Sequence, residues 1–137
     1  MKFIEADFIP EDGYSYVKIQ HLGKEFIGIA NVHPNDKDKV SSFAGCEYAE
    51  IRATIRALKY ELKLARVEEE EAEKFVRACL CYKNFNKEDK TAKVIFRQLN
   101  RRRKRVKDLV KEINSLEEEL KFLIAQRDKV INRKKDK

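Results

Sequence analysis

The chain contains little that would bend or interrupt a helix. It has 4 glycines, 2 prolines and no tryptophan among its 137 residues. Both prolines lie in the first quarter of the sequence, and no glycine or proline occurs from Cys46 to Lys137. Because glycine and proline are the usual points at which helices stop or kink, the greater part of the chain is free to form long, uninterrupted helices.

Cysteine is also scarce, and the 3 cysteines do not form a metal-binding pattern. Cys79 and Cys81 make a Cys-x-Cys pair with no second pair and no nearby histidine, which argues against a zinc site. Free thiols in a reducing compartment are the simpler interpretation. No run approaches the ~18 apolar residues that a membrane span needs, and acidic residues interrupt the N-terminal segment where a signal peptide would be apolar. We therefore expect a soluble, intracellular protein.

Charge, by contrast, is abundant. Charged residues make up 40% of the chain and hydrophobic residues 42%, with a net charge of +7. This mixture favours long solvated helices with one apolar stripe over a thick globular core. The positive charge permits an anionic partner such as a nucleotide or nucleic acid, without choosing between them.

Three short β-rich segments open the chain. They are Lys2–Ile9, which ends at a Pro-Glu-Asp-Gly turn, then Tyr14–Gln20, and then Glu25–His33 after a turn at Leu22-Gly23-Lys24. Short turns between neighbouring segments predict an antiparallel meander. Because a sheet of three strands is not stable alone, something must cover one of its faces.

A polar connection leads into the clearest helical pattern in the sequence. Apolar residues from Tyr48 to Cys79 recur at alternating spacings of three and four, which is typical of a coiled-coil seam, with one polar break at Glu69. Ser41 or Ser42 is a candidate N-cap. The pattern predicts a helix from about residue 46 to residue 82.

A second helix repeats the pattern after a break at residues 83–87. Asn86 is suited to cap its first turn. The same spacing then continues to Val130, with Arg102 and Arg127 as the polar exceptions. This predicts a helix from about residue 88 to residue 132, followed by a basic tail that frays.

These patterns predict an α+β fold, with a small antiparallel β-meander and its connection over residues 1–42 and a long antiparallel two-helix hairpin over residues 43–137. Three short strands cannot cover both helices, and further apolar residues beside the seam widen the stripe beyond what one partner helix hides. Because exposed stripes of this size mark interfaces, we expect a homodimer or higher oligomer with the second helix at its centre. The alternative is a monomeric hairpin docked on its own sheet. The additional apolar residues are Val94, Phe96, Val110, Phe122, Ile124 and Ile131.

Two charge runs of opposite sign lie at similar distances from the predicted hairpin turn. If the turn centres on residues 85 and 86, Glu68 lies level with Arg103 and Glu70 lies level with Arg101. The acidic run at residues 68–71 would then set the register of the basic run at residues 101–105. Arginines that face away from the glutamates stay accessible to a ligand.

Aromatic rings, amides and arginines near the hairpin tip are the residue types that bind a nucleotide. The rings can stack on a base, the amides can hydrogen-bond its edge, and the arginines, which share one helical face at spacings of four, can bind phosphates. The alternative is that the aromatic residues belong to the core or fill the loop. The candidate residues are Phe75, Asn84, Phe85, Asn86, Arg97, Arg101 and Arg105.

No pattern in the sequence supports catalysis. It has no glycine-rich phosphate loop, no His-Glu-x-x-His and no nucleophile elbow. His21 and His33 are best interpreted as surface residues at strand ends, and Cys46 as a packed residue at the start of a helix. We expect a protein that is not an enzyme, with no catalytic residue, no metal and no cofactor.

The order of these features resembles a known family. Phe26-Ile27-Gly28-Ile29-Ala30 runs into His33-Pro34-Asn35-Asp36, then Ala49-Glu50-Ile51-Arg52-Ala53 opens a long helix, and a second long basic helix follows. The pattern looks like small proteins of phages that infect Firmicutes. In particular it resembles the phage Thoeris anti-defence family, of which the smaller type is a sponge for cyclic ADP-ribose signals. The resemblance covers most of the chain.

The resemblance implies both a function and a site. The chain would bind and sequester a cyclic nucleotide immune signal without degrading it, and would thereby block Thoeris defence in the cytoplasm of the bacterial host. The signal would lie between the protomers of a dimer, or of dimers that assemble further. Arg52 and Arg56, one turn apart on the first helix, would form a second anion site. The signal itself would be held by Phe75 or Phe85, by Asn84 or Asn86, and by Arg101 and Arg105, with Arg97 in reserve.

Three other interpretations stay open at this point. A nucleic-acid-binding phage regulator, or an anti-CRISPR inhibitor, would use the basic run at residues 101–105 and would bind DNA or RNA in a salt-dependent way. A structural coiled-coil partner would bind a protein and no small ligand. An enzyme acting on the signal would return it chemically altered.

Overall fold

The computed structural model describes residues 1–9, 13–31, 42–81 and 90–135 of the chain. The described residues form one antiparallel sheet in the order β1-β2-β3, followed by two long helices, which confirms the predicted α+β class. Helix α1 begins before residue 46 and α2 continues past residue 132, so both extend beyond their predicted bounds at these ends. The elements are β1 (Lys2–Ile9), β2 (Tyr14–His21), β3 (Lys24–Asn31), α1 (Ser42–Leu80) and α2 (Lys90–Lys135).

The β2–β3 hairpin is built on a two-residue turn. Leu22 and Gly23 both have positive φ angles, of 52° and 76°. A turn with both central residues in the left-handed region matches the twist of antiparallel strands, which is why it joins them so tightly. The two strands pair without a break along their length. The pairing of β1 with β2, by contrast, shifts between Phe3 and Glu5, where a bulge lies.

A row of alanines on α1 forms the contact with the sheet. Ala49, Ala53 and Ala57 follow one another at one-turn intervals and are completely buried. They share a core with Val17 and Ile19, which project from the central strand. Because alanine side chains are short, the helix backbone can lie very close to the strands. The row covers one face of the sheet, as a three-stranded sheet requires.

The closest approach between α1 and the sheet is at Gly28 in β3. A methyl group on Gly28 would lie 2.5 Å from the backbone nitrogen of Ala53 and still closer to the carbonyl oxygen of Ala49. Helix backbone cannot move aside as the end of a flexible side chain can, so a larger residue would have to displace the helix. Gly28 is therefore required by space, whereas Gly13 and Gly23 adopt positive φ angles.

The predicted heptad seam is one of two buried faces on α1. Its early positions Ile51, Ile55 and Leu58 are buried, as expected. The row of three alanines is a separate face, turned toward the strands, which the heptad pattern does not include. The N-terminal part of α1 is consequently buried more widely than a two-helix seam requires.

The chain divides into two compact units. One comprises Met1–Leu58 and Ile113–Lys137, and the other comprises Lys59–Glu112, so each helix contributes to both. In the first unit, the Tyr48 hydroxyl donates a hydrogen bond of 3.1 Å to the carbonyl oxygen of Leu123, which joins α1 to α2. In the second unit the two helices run antiparallel and bury apolar residues between them. These residues are Ala65, Val76, Ala92, Leu99 and Leu109.

We expect Gly28→Ala to lower the free energy of unfolding by about 3 kcal/mol, the upper end of the usual cost of overpacking, because the methyl group meets helix backbone. Urea denaturation followed by circular dichroism measures the loss. Gly23→Ala is the control, since a methyl group there has no neighbour within 4 Å. Its cost is the left-handed backbone strain alone, about 1 kcal/mol. Equal losses in the two variants would contradict the close contact between α1 and β3.

Candidate functional site

Part of the basic run of α2 is neutralised by carboxylates of α1. Within the Lys59–Glu112 unit, Nη1 of Arg102 lies 2.7 Å from Oε2 of Glu68. Arg105 contacts Glu61 at 3.0 Å through Nη2 and Glu68 at 3.5 Å through Nη1. The expected contact between the acidic run and the basic run is therefore confirmed at Glu68. Because helix positions three apart share a face, Arg102 and Arg105 turn together toward α1.

The individual partners differ from those that simple register counting predicts. Glu68 was expected to lie opposite Arg103, but it contacts Arg102 and Arg105 instead. Glu70 was expected opposite Arg101, but its carboxylate lies 3.4 Å from Nζ of Lys74, one turn along its own helix. Counting from the turn gives the level of a residue along the helix axis but not the direction of its side chain, and that direction decides the pairing.

A cavity of about 390 Å³ lies between the two helices in this unit. Phe75 contributes to its wall with a side chain that is 57% exposed. The volume falls in the range of about 300–1,000 Å³ that is usual for small-molecule sites. An exposed ring, an amide and a carboxylate are groups that can hold a planar heterocycle. The lining residues are Glu68, Glu71, Ala72, Phe75, Ile95, Gln98 and Arg102.

A second depression, of about 340 Å³, follows α2 toward its centre. It brings Arg101 and Arg105 together, as their spacing predicts, and adds Lys104 to them. Asp108 and Glu112 form its acidic part. Since Arg105 already contacts two carboxylates of α1, Arg101 and Lys104 are the cations best able to bind an added anion there.

The structure separates the predicted ligand residues into two groups. Phe75 lies at the first cavity, where the arginine is Arg102, whereas Arg101 and Arg105 share the second depression. Arg97 is exposed and lines neither. The alternative that Phe75 belongs to the core is wrong, because more than half of its side chain is exposed. The candidates Asn84, Phe85 and Asn86 lie outside the described residues.

Six of the seven lining residues were not among the predicted ligand residues, and two of the six are polar residues of α2. Gln98 and Arg102 face the cavity from α2. Arg102 interrupts the apolar seam of its helix, and a polar residue at a seam position must face the partner helix, so the sequence did contain a sign of its role. Gln98 carries no comparable sign, because an exposed glutamine in a charged helix is ordinary.

Arg52 and Arg56 of α1 form hydrogen bonds with the backbone of β3 at the edge of the sheet. Nη1 of Arg52 donates a hydrogen bond of 2.6 Å to the carbonyl oxygen of Ile29, and Nη1 of Arg56 donates one of 2.7 Å to that of Ile27. Both carbonyl groups belong to the edge strand β3, whose unpaired backbone would otherwise be open to another strand. A second anion site here remains a prediction, and an anion would have to share these guanidinium groups with the backbone.

Tyr16 in β2 has a markedly raised pKa. Glu5 accepts a hydrogen bond from the Tyr16 hydroxyl, and this raises the pKa of Tyr16 to about 12. Glu5 lies on β1 and Tyr16 on β2, and neither residue lines either cavity. Within the described ranges, no group of three or more His, Cys, Asp or Glu side chains is placed to hold a metal ion. Neither helix has, over those ranges, a stretch long and apolar enough to cross a membrane.

The Glu68–Arg102 pair should make only a small contribution to stability. The two side chains are 44% and 41% exposed, so water and salt screen their attraction. A double-mutant cycle with Glu68→Gln and Arg102→Gln should give a coupling of roughly 0.2–1 kcal/mol that falls at high salt. The matched control is the Glu70–Lys74 pair within α1, for which we expect about 0.3–0.5 kcal/mol. A coupling well above that range, or one insensitive to salt, would contradict the exposed geometry.

Comparison with known proteins adds no relative from which a role could be transferred. No family model, no curated protein and no solved structure matches the chain. The resemblance to the Thoeris anti-defence family therefore stays a prediction made from the sequence.

Proposed function

We propose that the chain is a binding protein that sequesters a small cyclic nucleotide of the cyclic ADP-ribose type and does not degrade it. The observation that carries the proposal is the cavity in the helical unit, where the exposed ring of Phe75 lies with the amide of Gln98 and the guanidinium of Arg102. In this role, which the family resemblance implies, the protein would counteract bacterial Thoeris defence inside the host cell.

The residues of the cavity suit the base of such a ligand. A purine can stack on Phe75, since an aromatic face attracts any base. The Gln98 amide both donates and accepts, which matches the amino group and ring nitrogen along one edge of adenine. Glu71 can accept a hydrogen bond from an amino or hydroxyl group. Sequestration needs binding groups of this kind and no catalytic group, because no covalent bond has to be made or broken.

The phosphates of the ligand would bind elsewhere. Glu68 and Glu71 give the cavity a negative wall, and Arg102 is already neutralised by Glu68. Arg101 follows Gln98 by three residues, about 4.5 Å along the helix axis, and it belongs to the more basic second depression. This division of charge favours a base held between the helices and phosphates that point along α2.

Enclosure of the ligand calls for a second copy of the chain. Leu64, Val67 and Phe75 lie on one side of α1 and are 39%, 49% and 57% exposed. Val94 on α2 is also 50% exposed. Apolar side chains in such a row are typical of an interface, and a partner covering them would close the cavity beside Phe75. We infer a homodimer or higher oligomer in which α1 contributes as much as α2.

Retention of the ligand tests the proposal. Protein mixed with cyclic ADP-ribose isomers is filtered, heat-denatured and filtered again, and both filtrates are analysed by mass spectrometry. We expect the ligand to be missing from the first filtrate and intact in the second. Phe75→Ala should weaken retention about tenfold or more, since stacking on one aromatic residue is worth about 1–3 kcal/mol. Phe122→Ala, which removes a ring that is 60% exposed in the other unit, should leave retention unchanged.

The other outcomes are equally informative. Ligand that stays in the first filtrate would refute sequestration of these isomers. Ligand that returns with an altered mass would show that the chain is an enzyme. Equal losses in the two phenylalanine variants would place the ligand away from the cavity.

Self-association is tested separately by sedimentation. We expect Val67→Gln to shift the protein toward smaller species at micromolar concentration, because an amide replaces an apolar side chain in the exposed row. Arg66→Gln places the same side chain at the neighbouring exposed position and should leave the distribution unchanged. An unmodified protein that sediments as a monomer would refute the oligomer.

A further inference from the structure

The outward face of α2 carries a row of basic side chains, here called the outer stripe. All six members are exposed, and they recur at helical spacing opposite the buried residues Ala92, Leu99 and Leu109. From Lys90 to Lys111 the row covers 22 residues, and its ends are about 32 Å apart along the helix. Asp108 is the acidic residue that lies within it. The members of the outer stripe are Lys90, Lys93, Arg97, Arg101, Lys104 and Lys111.

The charge of the outer stripe is not neutralised by the described part of the chain. The carboxylates of α1 that reach α2 are Glu61 and Glu68, and they contact Arg102 and Arg105. None of the six stripe residues forms an ion pair with a described residue. The positive potential along this face therefore points into solvent, where it can attract a polyanion.

We propose that the outer stripe binds the phosphate backbone of a nucleic-acid duplex without reading its sequence. A row of about 32 Å spans roughly nine base pairs, at 3.4 Å for each pair along one strand. Lysine and arginine side chains gain affinity there by releasing the counterions condensed on the duplex. The residues of α2 that line the proposed nucleotide cavity, Ile95, Gln98 and Arg102, lie on a different face of the helix. Arg101 and Lys104 belong both to the outer stripe and to the depression proposed for the phosphates.

The composition of the stripe indicates a duplex over a single strand. Proteins that hold single strands combine basic grooves with aromatic side chains on which the bases stack. The outer stripe contains lysine and arginine, and none of its members is aromatic. The cationic groups of lysine and arginine are the donors that position a protein on the phosphate backbone, and such contacts carry no sequence information.

The test is fluorescence anisotropy with a labelled DNA duplex and the full chain, repeated at several salt concentrations. Each phosphate contact contributes about −0.9 to the slope of log Kobs against log salt, so four to six contacts give a slope between about −3.6 and −5.4. Two duplexes of unrelated sequence should bind equally well. Lys93→Gln/Lys111→Gln should make the slope less steep by about 1.8, since two phosphate contacts are lost.

The control is Lys63→Gln/Arg66→Gln, which removes the same charge from exposed positions of α1 and should leave the slope unchanged. Equal changes in the two variants would show that net charge, and not the outer stripe, drives binding. Failure to bind at low salt, or tighter binding to a single strand of equal length, would overturn the proposal. Neither variant alters a residue proposed to hold the cyclic nucleotide, so ligand retention and duplex binding can fail separately.

Discussion

The contact between α1 and β3 at Gly28 is the constraint on which the sheet-containing unit depends. A meander of three strands has too little core of its own, and the helix supplies it through a row of alanines. Contact at backbone distance also brings Arg52 and Arg56 level with the carbonyl groups of the edge strand. The lack of a side chain at Gly28 thus allows the helix to cover the sheet closely and allows its arginines to reach the edge strand.

The elements themselves follow closely from the sequence. Alternating apolar residues, the Leu22-Gly23 turn and the three-four spacing of two long segments each report a local regularity that the backbone repeats. The alanine row could not be predicted in this way, because alanine is equally common on buried and on solvent-exposed faces of helices. The role of Gly28 escapes it for a related reason, since the atoms that exclude a side chain there belong to a helix more than twenty residues later.

The candidate site was only partly predictable, and the limits have a physical cause. Helical spacing correctly joined Arg101 to Arg105, but it could not show that Arg105 is held by two carboxylates while Arg101 is not. The direction of each side chain divides five consecutive basic residues into internal partners and solvent-facing cations. As a result, one face of α2 packs against α1, and the opposite face carries positive charge that the carboxylates of α1 do not neutralise.

The protection of the sheet edges affects the concentration that this protein can reach without aggregating. Arginine caps close one edge at β3, and the bulge between Phe3 and Glu5 distorts the other at β1. Strand-to-strand growth, by which small sheets precipitate, is hindered at both ends. If the protein sequesters its ligand, as we propose, each binding site holds one ligand at a time, unlike a catalyst that turns over, and the protein must therefore accumulate. A sheet that does not template aggregation is what allows such a protein to remain dispersed when it is abundant.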